Sequence, residues 1–304
     1  MKIFLTGATG YIGGSVAEKL VARGHHIIGL TRSPERAEQL QERGIEPLLG
    51  NLEDKDLLAT AAKQVDAVIN AADSDNASAV EALLPALEGS GKLFIQTSGS
   101  SIVGDKAAGE PGNQIFSEDS VMHPVPEKAG RIAIDRMVLD AAQKCVHSVV
   151  LCLSLIYGRG RGIHSESIQI PLLLNQARKS GIVSYIGRGL NTWSTVHIDD
   201  VTRLYLLALE KAPVGSFFYA ENGEVTMKAL ANALSHLPGL SGKTASWSLE
   251  EAIQEWGTEP AVFALGSNSR VRGFKSRQLL GWKPKEASVL HEIEHGSYRH
   301  DVIR

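Results

Sequence analysis

The chain offers almost nothing from which a disulfide framework could be built. Its 304 residues include two cysteines, Cys145 and Cys152, which lie in or beside apolar segments and lack metal-ligand spacing. Both are expected in the core of a protein kept in a reducing compartment, and no metal site is expected. Charge of one sign is also scarce. A formal net charge of −3 makes no electrostatic case for nucleic acid or an anionic membrane as partner. Long apolar runs are missing too: "KIFLTG" begins at Lys2 and passes straight into glycines, leaving no room for a signal peptide, and no stretch is long enough to cross a bilayer. There is neither a tandem repeat nor a low-complexity segment. These absences leave a cytoplasmic globular protein whose partner is a small-molecule substrate, and 43% hydrophobic with 21% charged residues is an ordinary composition for one.

What is present is alternation. Short apolar runs bounded by Gly, Asn or Ser ("KIFLTG", "HIIGLT", "EPLLGN", "DAVINAA", "KLFIQTS", "HSVVLCLSLIYG") alternate with longer amphipathic stretches. Such runs suit strands buried on both faces of a parallel sheet, with the intervening helices covering those faces. The fold class is therefore α/β, a doubly wound parallel Rossmann sheet. Past Gly158 the rhythm changes. "SIQIPLLLNQARKSG" is helical, "STVHIDDVTRLYLLALEKA" runs from strand into helix, and "GSFFYAEN" is another strand. The pattern predicts a nucleotide-binding domain over residues 1–160, completed by 191–221, and a smaller substrate-binding lobe from 161–190 and 222–304.

Gly7, Gly10 and Gly13 stand at three-residue intervals in "FLTGATGYIGGSVAEKLVARGH", between an apolar strand and an amphipathic helix. A dinucleotide site needs that arrangement: a tight turn, a backbone that can approach a pyrophosphate, and a helix N-terminus whose free N–H groups favour the anion. The ribose of the adenosine is read about 20 residues further on. There, "LTRSPER" carries Arg32 where an NAD-specific site has Asp or Glu. A guanidinium can fork onto a 2′-phosphate that a carboxylate would repel. NADPH is thus expected over NADH, with Arg32, Ser33 and Arg36 as the phosphate clamp. "GNLED" puts Asn51 and Leu52 at the end of the third strand for the adenine edge and face. "NAAD" ends the fourth strand with Ala71 and Ala72, small enough for a dinucleotide to lie against backbone.

Together with "TGATGYIGG", "QTSGSSIVG", "LIYGRG", "VHIDDV" and "FKSRQLLGWKP", these segments resemble, nearly end to end, the extended short-chain dehydrogenase/reductases, also called the NAD-dependent epimerase/dehydratase family. The resemblance implies an NAD(P)-dependent oxidoreductase. It adds Thr9, Tyr11, Ile12, Thr31, Thr97, Ser98 and Arg131 to the expected cofactor contacts, and by analogy with relatives it implies a homodimer. In that family a Tyr-x-x-x-Lys pair sits on the helix after the fifth strand, usually with an acid four residues further on. In "PEKAGRIAIDRMVLDAAQK", aligning the acid on Asp135 puts Arg131 at the lysine position and Glu127 at the tyrosine position. The usual tetrad is therefore not intact. Arg131 can hold a nicotinamide ribose but stays charged and cannot shuttle a proton. Glu127, Arg131 and Asp135, one turn apart, are expected to form an acid–base–acid ladder with Glu127 as an ion-pair partner. Candidate proton donors are Ser98, Ser100, Tyr157 and His164, while His197 is expected to pack beneath the site.

Two further departures bear on the substrate. Sugar-nucleotide members commonly carry an Arg shortly before "VHIDD" to grip the diphosphate, and here Trp193 stands there; Cys152 and Leu153 replace the familiar Arg-Pro before the sixth-strand motif. An apolar ring cannot neutralise a diphosphate. A pocket of Trp193, Ile163, His164 and Ile168 would suit a small, weakly charged carbonyl compound. Two other readings stay open: a non-catalytic NADPH-responsive binding or regulatory protein, and an NAD-dependent sugar-nucleotide epimerase or dehydratase.

Overall fold

The computed structural model describes residues 1–300; residues 301–304, assigned above to the substrate lobe, lie outside the described residues. In chain order the strands are β1 (Lys2–Thr6), β2 (His26–Thr31), β3 (Glu46–Leu49), β4 (Ala67–Asn70), β5 (Leu93–Gly99), β6 (Phe116–Ser117), β7 (His147–Leu153), β8 (Leu155–Tyr157), β9 (Val183–Ile186), β10 (Thr192–His197), β11 (Ser216–Ala220), β12 (Glu224–Thr226), β13 (Thr244–Trp247) and β14 (Val271–Arg272). The helices that matter here are α1 (Tyr11–Ala22), α2 (Pro34–Glu42), α3 (Lys55–Lys63), α4 (Ala77–Leu87), α5 (Ala129–Asp140), α6 (Gln169–Ser180), α7 (Ile198–Lys211), α8 (Met227–Ser235) and α9 (Leu249–Trp256).

Seven strands form one parallel sheet in the order β11-β7-β5-β4-β1-β2-β3. Successive side chains of a strand leave opposite faces. Ile3 and Leu5 accordingly join a core shared with Val16, Leu20, Val201 and Leu204 of α1 and α7. Phe4, between them, joins the opposite core with Leu58, Val80, Leu83 and Val138 of α3, α4 and α5. Strand order reverses between β1 and β4, and the crevice at the carboxyl ends of these two strands is where such a sheet binds its ligand.

The run "HSVVLCLSLIYG", read above as one strand, breaks at Ser154. The Ser154 N–H still donates to Ala220 O (3.2 Å), and β8 then leaves the large sheet to pair with β10. Leu155 and Tyr157 of β8 turn into a second core with Ile170, Leu174, Trp193, Leu230 and Trp256. Strand β10, expected to help complete the nucleotide-binding sheet, instead lies between β8 and β12 in a three-stranded sheet. The division between the lobes also crosses sequence order, because Leu280 and Trp282 of "LGWKP" return to the first core.

A buried carboxylate makes that return specific. Asp200, fully buried at the start of α7, accepts from the backbone N–H groups of Lys285 (2.7 Å) and Glu286 (3.1 Å) and pairs with Arg203, while Trp282 Nε1 donates to the Asp200 carbonyl (3.0 Å). "VHIDD" and "LGWKP" are thus two halves of one clasp. Cys152 is buried as expected, but Cys145 is exposed, at φ +56° after the turn that ends α5, where no core reaches it. No helix among the described residues is long and apolar enough to cross a membrane.

Candidate active-site crevice

The glycine loop is shaped by close approach. Gly7 sits at φ +73°, and a Cβ there would come within 2.5 Å of the Ala71 carbonyl oxygen; one at Gly13 would come within 2.3 Å of Gly7 O. Loop, β4 and α1 can therefore close on one another only with hydrogen at both positions. Ser33, Asp54 and Asn76 cap α2, α3 and α4 through their side chains, whereas α1 begins at Gly10 with no side-chain cap among the described residues. Its first N–H groups are left for an anion.

Beside the loop opens a cleft of ≈ 930 Å³ lined by Gly7, Thr9, Gly10, Thr31, Arg32, Ser33, Arg36, Asn51, Leu52, Ala71 and Ala72. Eleven of the expected cofactor contacts thus meet in one place. Arg32 is exposed at the mouth and has no ion pair or hydrogen bond among the described residues. Ser33 Oγ accepts from the Arg36 N–H (3.3 Å), which leaves its own proton free to donate. His164, expected at the reacting end as donor and substrate contact, lines this cleft instead, with Nε2 3.3 Å from Arg36 Nη2 and its N–H donating to Thr9 O (3.1 Å). Ile163, expected against substrate, packs beside Ala8 and Gly14 behind the loop. The cause is the segment after β8, which folds down onto α1: Arg161 N–H donates to Ser15 Oγ (3.0 Å), and its guanidinium bonds Asp199.

Ala71 and Ala72 also line a second cavity of ≈ 440 Å³, so the two form one crevice. Tyr11, Ile12, Thr97, Ser98, Ser100, Arg131, Trp193 and Ile168 of the expected set border it. Most of the hydroxyls here are engaged. Tyr11 donates to Gly158 O (2.7 Å), and burial holds its pKa well above the usual phenol value; Thr97 bonds the Tyr205 hydroxyl; Ser100 Oγ lies 2.8 Å from Ser269 Oγ, which donates to it. Trp193 is both wall and core, with Nε1 donating to Ser267 O (2.8 Å). Tyr157, a candidate donor, is outside the crevice: the alternation of β8 turns it inward, its hydroxyl donates to Ala287 O (2.6 Å), and burial raises its pKa. His197 packs edge-on against Tyr157 and caps α7, with Nδ1 accepting from the Asp199 N–H (3.1 Å).

The expected ladder along one helix face does not form. Glu127 lies in the turn Pro126–Lys128 before α5 and pairs with Lys106 (2.6 Å), whose hydrogen bond lowers its pKa. Arg131 grips Asp75 bidentately, its Nε donating to Oδ1 at 2.7 Å, and Nη1 donates to Ser101 Oγ (2.8 Å). Asp135 faces the sheet, only 3% exposed; the Ser98 hydroxyl donates to its Oδ2 (2.7 Å), and Oδ1 has no partner among the described residues. Burial, opposed by that hydrogen bond and by Arg131, pushes the carboxyl up to about 7. Three residues one turn apart thus have three unrelated partners.

Sequence reasoning missed Asp75, Ser101, Leu172, Glu259, Pro260 and Phe263, all of which line the second cavity. Glu259 pairs with Lys128, whose side chain is almost wholly buried and whose ammonium lies 4.9 Å from the Phe263 ring centroid. A buried cation at the foot of α5 therefore pins residues 258–265 over the cavity. Its only signal in the sequence is "PEK", which reads as a solvated helix start.

Residues 3–218 match the NAD dependent epimerase/dehydratase family. The chain belongs to that family. It is 30% identical over 311 residues to an uncharacterized protein of Schizosaccharomyces pombe, covering 98% of this chain and 100% of that one. It is 25% identical over 319 residues to the 4-hydroxy-2-methyl-3-oxo-4-farnesyl-3,4-dihydroquinoline-1-oxide ketoreductase of Stigmatella aurantiaca, covering 93% and 92% of the two chains. Its fold is shared with the dTDP-glucose 4,6-dehydratase of Bacillus anthracis solved in complex with NAD, at TM-score 0.79 and 19% identity over 99% of this chain and 96% of that one. The cradle of this epimerase/dehydratase family member fits a pyridine nucleotide: Gly7 and Gly13 leave no room for a side chain, the α1 N-terminus is open, and Ala71 and Ala72 keep the path between the two cavities clear.

Proposed function

We propose that this family member is an NADPH-dependent reductase of a small, weakly charged carbonyl compound. The observation that carries the reading is the wall of the second cavity. Trp193, Phe263, Leu172, Ile168 and Pro260 supply its apolar surface, and the charged groups that line it are already paired within the protein, Arg131 with Asp75 and Glu259 with Lys128. Among the described residues that line it, no cation is left over to neutralise the diphosphate of a sugar nucleotide, and burying that diphosphate against apolar rings would be prohibitive. The ketoreductase relative is named for a farnesyl-bearing 3-oxo compound, which agrees with such a wall. Preference for NADPH rests on Arg32, which follows β2 next to Ser33 and has no ion pair among the described residues.

The chain's residues divide the work. The open N-terminus of α1 and the glycine loop hold the pyrophosphate, Arg131 orients the ribose next to the reacting ring, and the apolar wall excludes water around the carbonyl. A reduced nicotinamide, when bound, supplies hydride. Holding donor and acceptor together is worth effective molarities of about 10⁵ M or more, against roughly 10² to 10⁴-fold for general acid catalysis. Loss of the family's tyrosine therefore leaves the larger contribution in place. The test is calorimetry with NADPH and NADH, followed by a panel of aromatic and aliphatic ketones with the nicotinamide absorbance as readout and UDP- and dTDP-sugars as controls. Turnover with apolar ketones and no affinity for the sugar nucleotides is expected. NADPH binding without turnover across the panel would overturn the reductase reading and favour a nucleotide-responsive binding protein.

A further inference from the structure

A carbonyl that accepts hydride also needs a proton on its oxygen, and the tyrosine that usually gives it is absent. An isolated serine is too weak an acid for the task, so any hydroxyl that serves must be backed by a group that can recharge it. Ser101 is backed by Arg131, which does not release a proton. Ser100 is backed by another serine, and the Oγ atoms of Ser154 and Ser167 have no partner among the described residues. Among the described residues, Ser98 is the one serine lining this cavity whose hydroxyl is hydrogen-bonded to a carboxyl, that of Asp135, at 2.7 Å.

We propose that Ser98 passes the proton to the substrate oxygen and that Asp135, acting through Ser98, is the internal proton reservoir. This assignment rests on the reductase reading above. The 2.7 Å contact can run in either direction. With Asp135 ionised, Ser98 donates to it; with Asp135 protonated, the carboxyl donates to Ser98 Oγ and the serine proton is released toward the crevice. In the reaction the hydride's electron pair becomes the new C–H bond and the carbonyl π pair moves onto oxygen. That oxygen takes the Ser98 proton, Ser98 takes the Asp135 proton, and the carboxylate regains one from water before the next turnover. The groups around Asp135 are Arg131 on its own helix, Asp75 from the loop after β4, Cys152 on β7 and Tyr219 on β11, with Glu118 beyond the last two. Burial outweighs Arg131 and keeps both forms of the carboxyl populated near neutrality.

The test pairs Asp135→Asn and Ser98→Ala with two readouts. In the nucleotide-free protein, ¹³C NMR of the Asp carboxyls should show one resonance titrating near 7 that disappears in D135N. In turnover, wild-type kcat should fall as pH rises through that range, while D135N and S98A should each lose about 10²-fold in kcat and D135N should also lose the pH dependence. Should D135N not fold, S98A and the wild-type titration carry the test. An active wild type whose D135N variant keeps its rate and pH profile, or Asp carboxyls that all titrate in the ordinary range, would overturn the relay alone. A wild type inert toward every carbonyl would overturn the relay together with the reductase reading.

Discussion

Asp135→Asn should change the sign of its effect on stability between acid and alkaline pH. The folded protein holds this carboxyl at about 7, against 3.8 for an unperturbed Asp. A folded-state pKa above the unfolded value means that the native state binds more protons between those limits, so wild-type stability declines as pH rises from about 4 to 7. At about 1.4 kcal/mol per unit, a gap of roughly three units corresponds to about 4 kcal/mol. Asparagine removes that penalty and still accepts from Ser98, but its amide N–H₂ takes the place of an Oδ1 that has no partner, at a cost of about 1–3 kcal/mol. The variant should therefore be less stable than wild type by about 0.5–2.5 kcal/mol at pH 4, where folded Asp135 is neutral and the unfolded chain has only begun to gain from ionising it, and more stable by about 1–3 kcal/mol at pH 8. Urea denaturation of both proteins at the two pH values measures the difference directly, and other titrating groups cancel in the comparison. An equal ΔΔG at pH 4 and pH 8 would refute the argument, because it would mean that folding does not raise the Asp135 pKa above its unfolded value.

Further outcomes follow from other parts of the molecule. Arg32→Asp should weaken NADPH by about 10- to 10²-fold, from the loss of a charged hydrogen bond, and leave NADH nearly unchanged; equal losses in calorimetry would show that the arginine does not read the 2′-phosphate. Gly13→Ala would drive a methyl group to 2.3 Å from Gly7 O. It should cost about 1–3 kcal/mol and abolish nucleotide binding, and an unchanged Tm with retained binding would contradict the close packing of the loop. Asp200→Ala strips the acceptor from the N–H groups of Lys285 and Glu286 and the partner from Arg203. A loss of roughly 3 kcal/mol is expected in urea melts, and a loss under 0.5 kcal/mol would show that the clasp is not structural.

The features legible in the chain were those with local causes. Apolar runs of strand length, amphipathic stretches between them and glycines at three-residue intervals each act within a few residues of themselves, and the sheet, the loop and the cleft beside it follow from them. Where the reading failed, the deciding contact came from elsewhere in the chain. His164 and Ile163 stand close in sequence to Ile168, yet they lie behind and beside the glycine loop because Arg161 is tied to Ser15 and Asp199. Tyr157 had the right chemistry for a proton donor, but β8 leaves the large sheet and buries it in the second core. Glu127 and Arg131 are one turn apart in sequence, and the guanidinium turned instead to Asp75, 56 positions away.

Read alone, then, the order of residues specified the class of fold and the place of the glycine loop between β1 and α1, because periodicity and glycine φ are properties of short segments. Folding decided which polar groups share a cavity and which are dried. The same step turned Asp135, one acid on an apparently solvated helix, into a carboxyl poised near neutrality behind Ser98, because burial and hydrogen bonding exist only once distant strands and helices have closed around it.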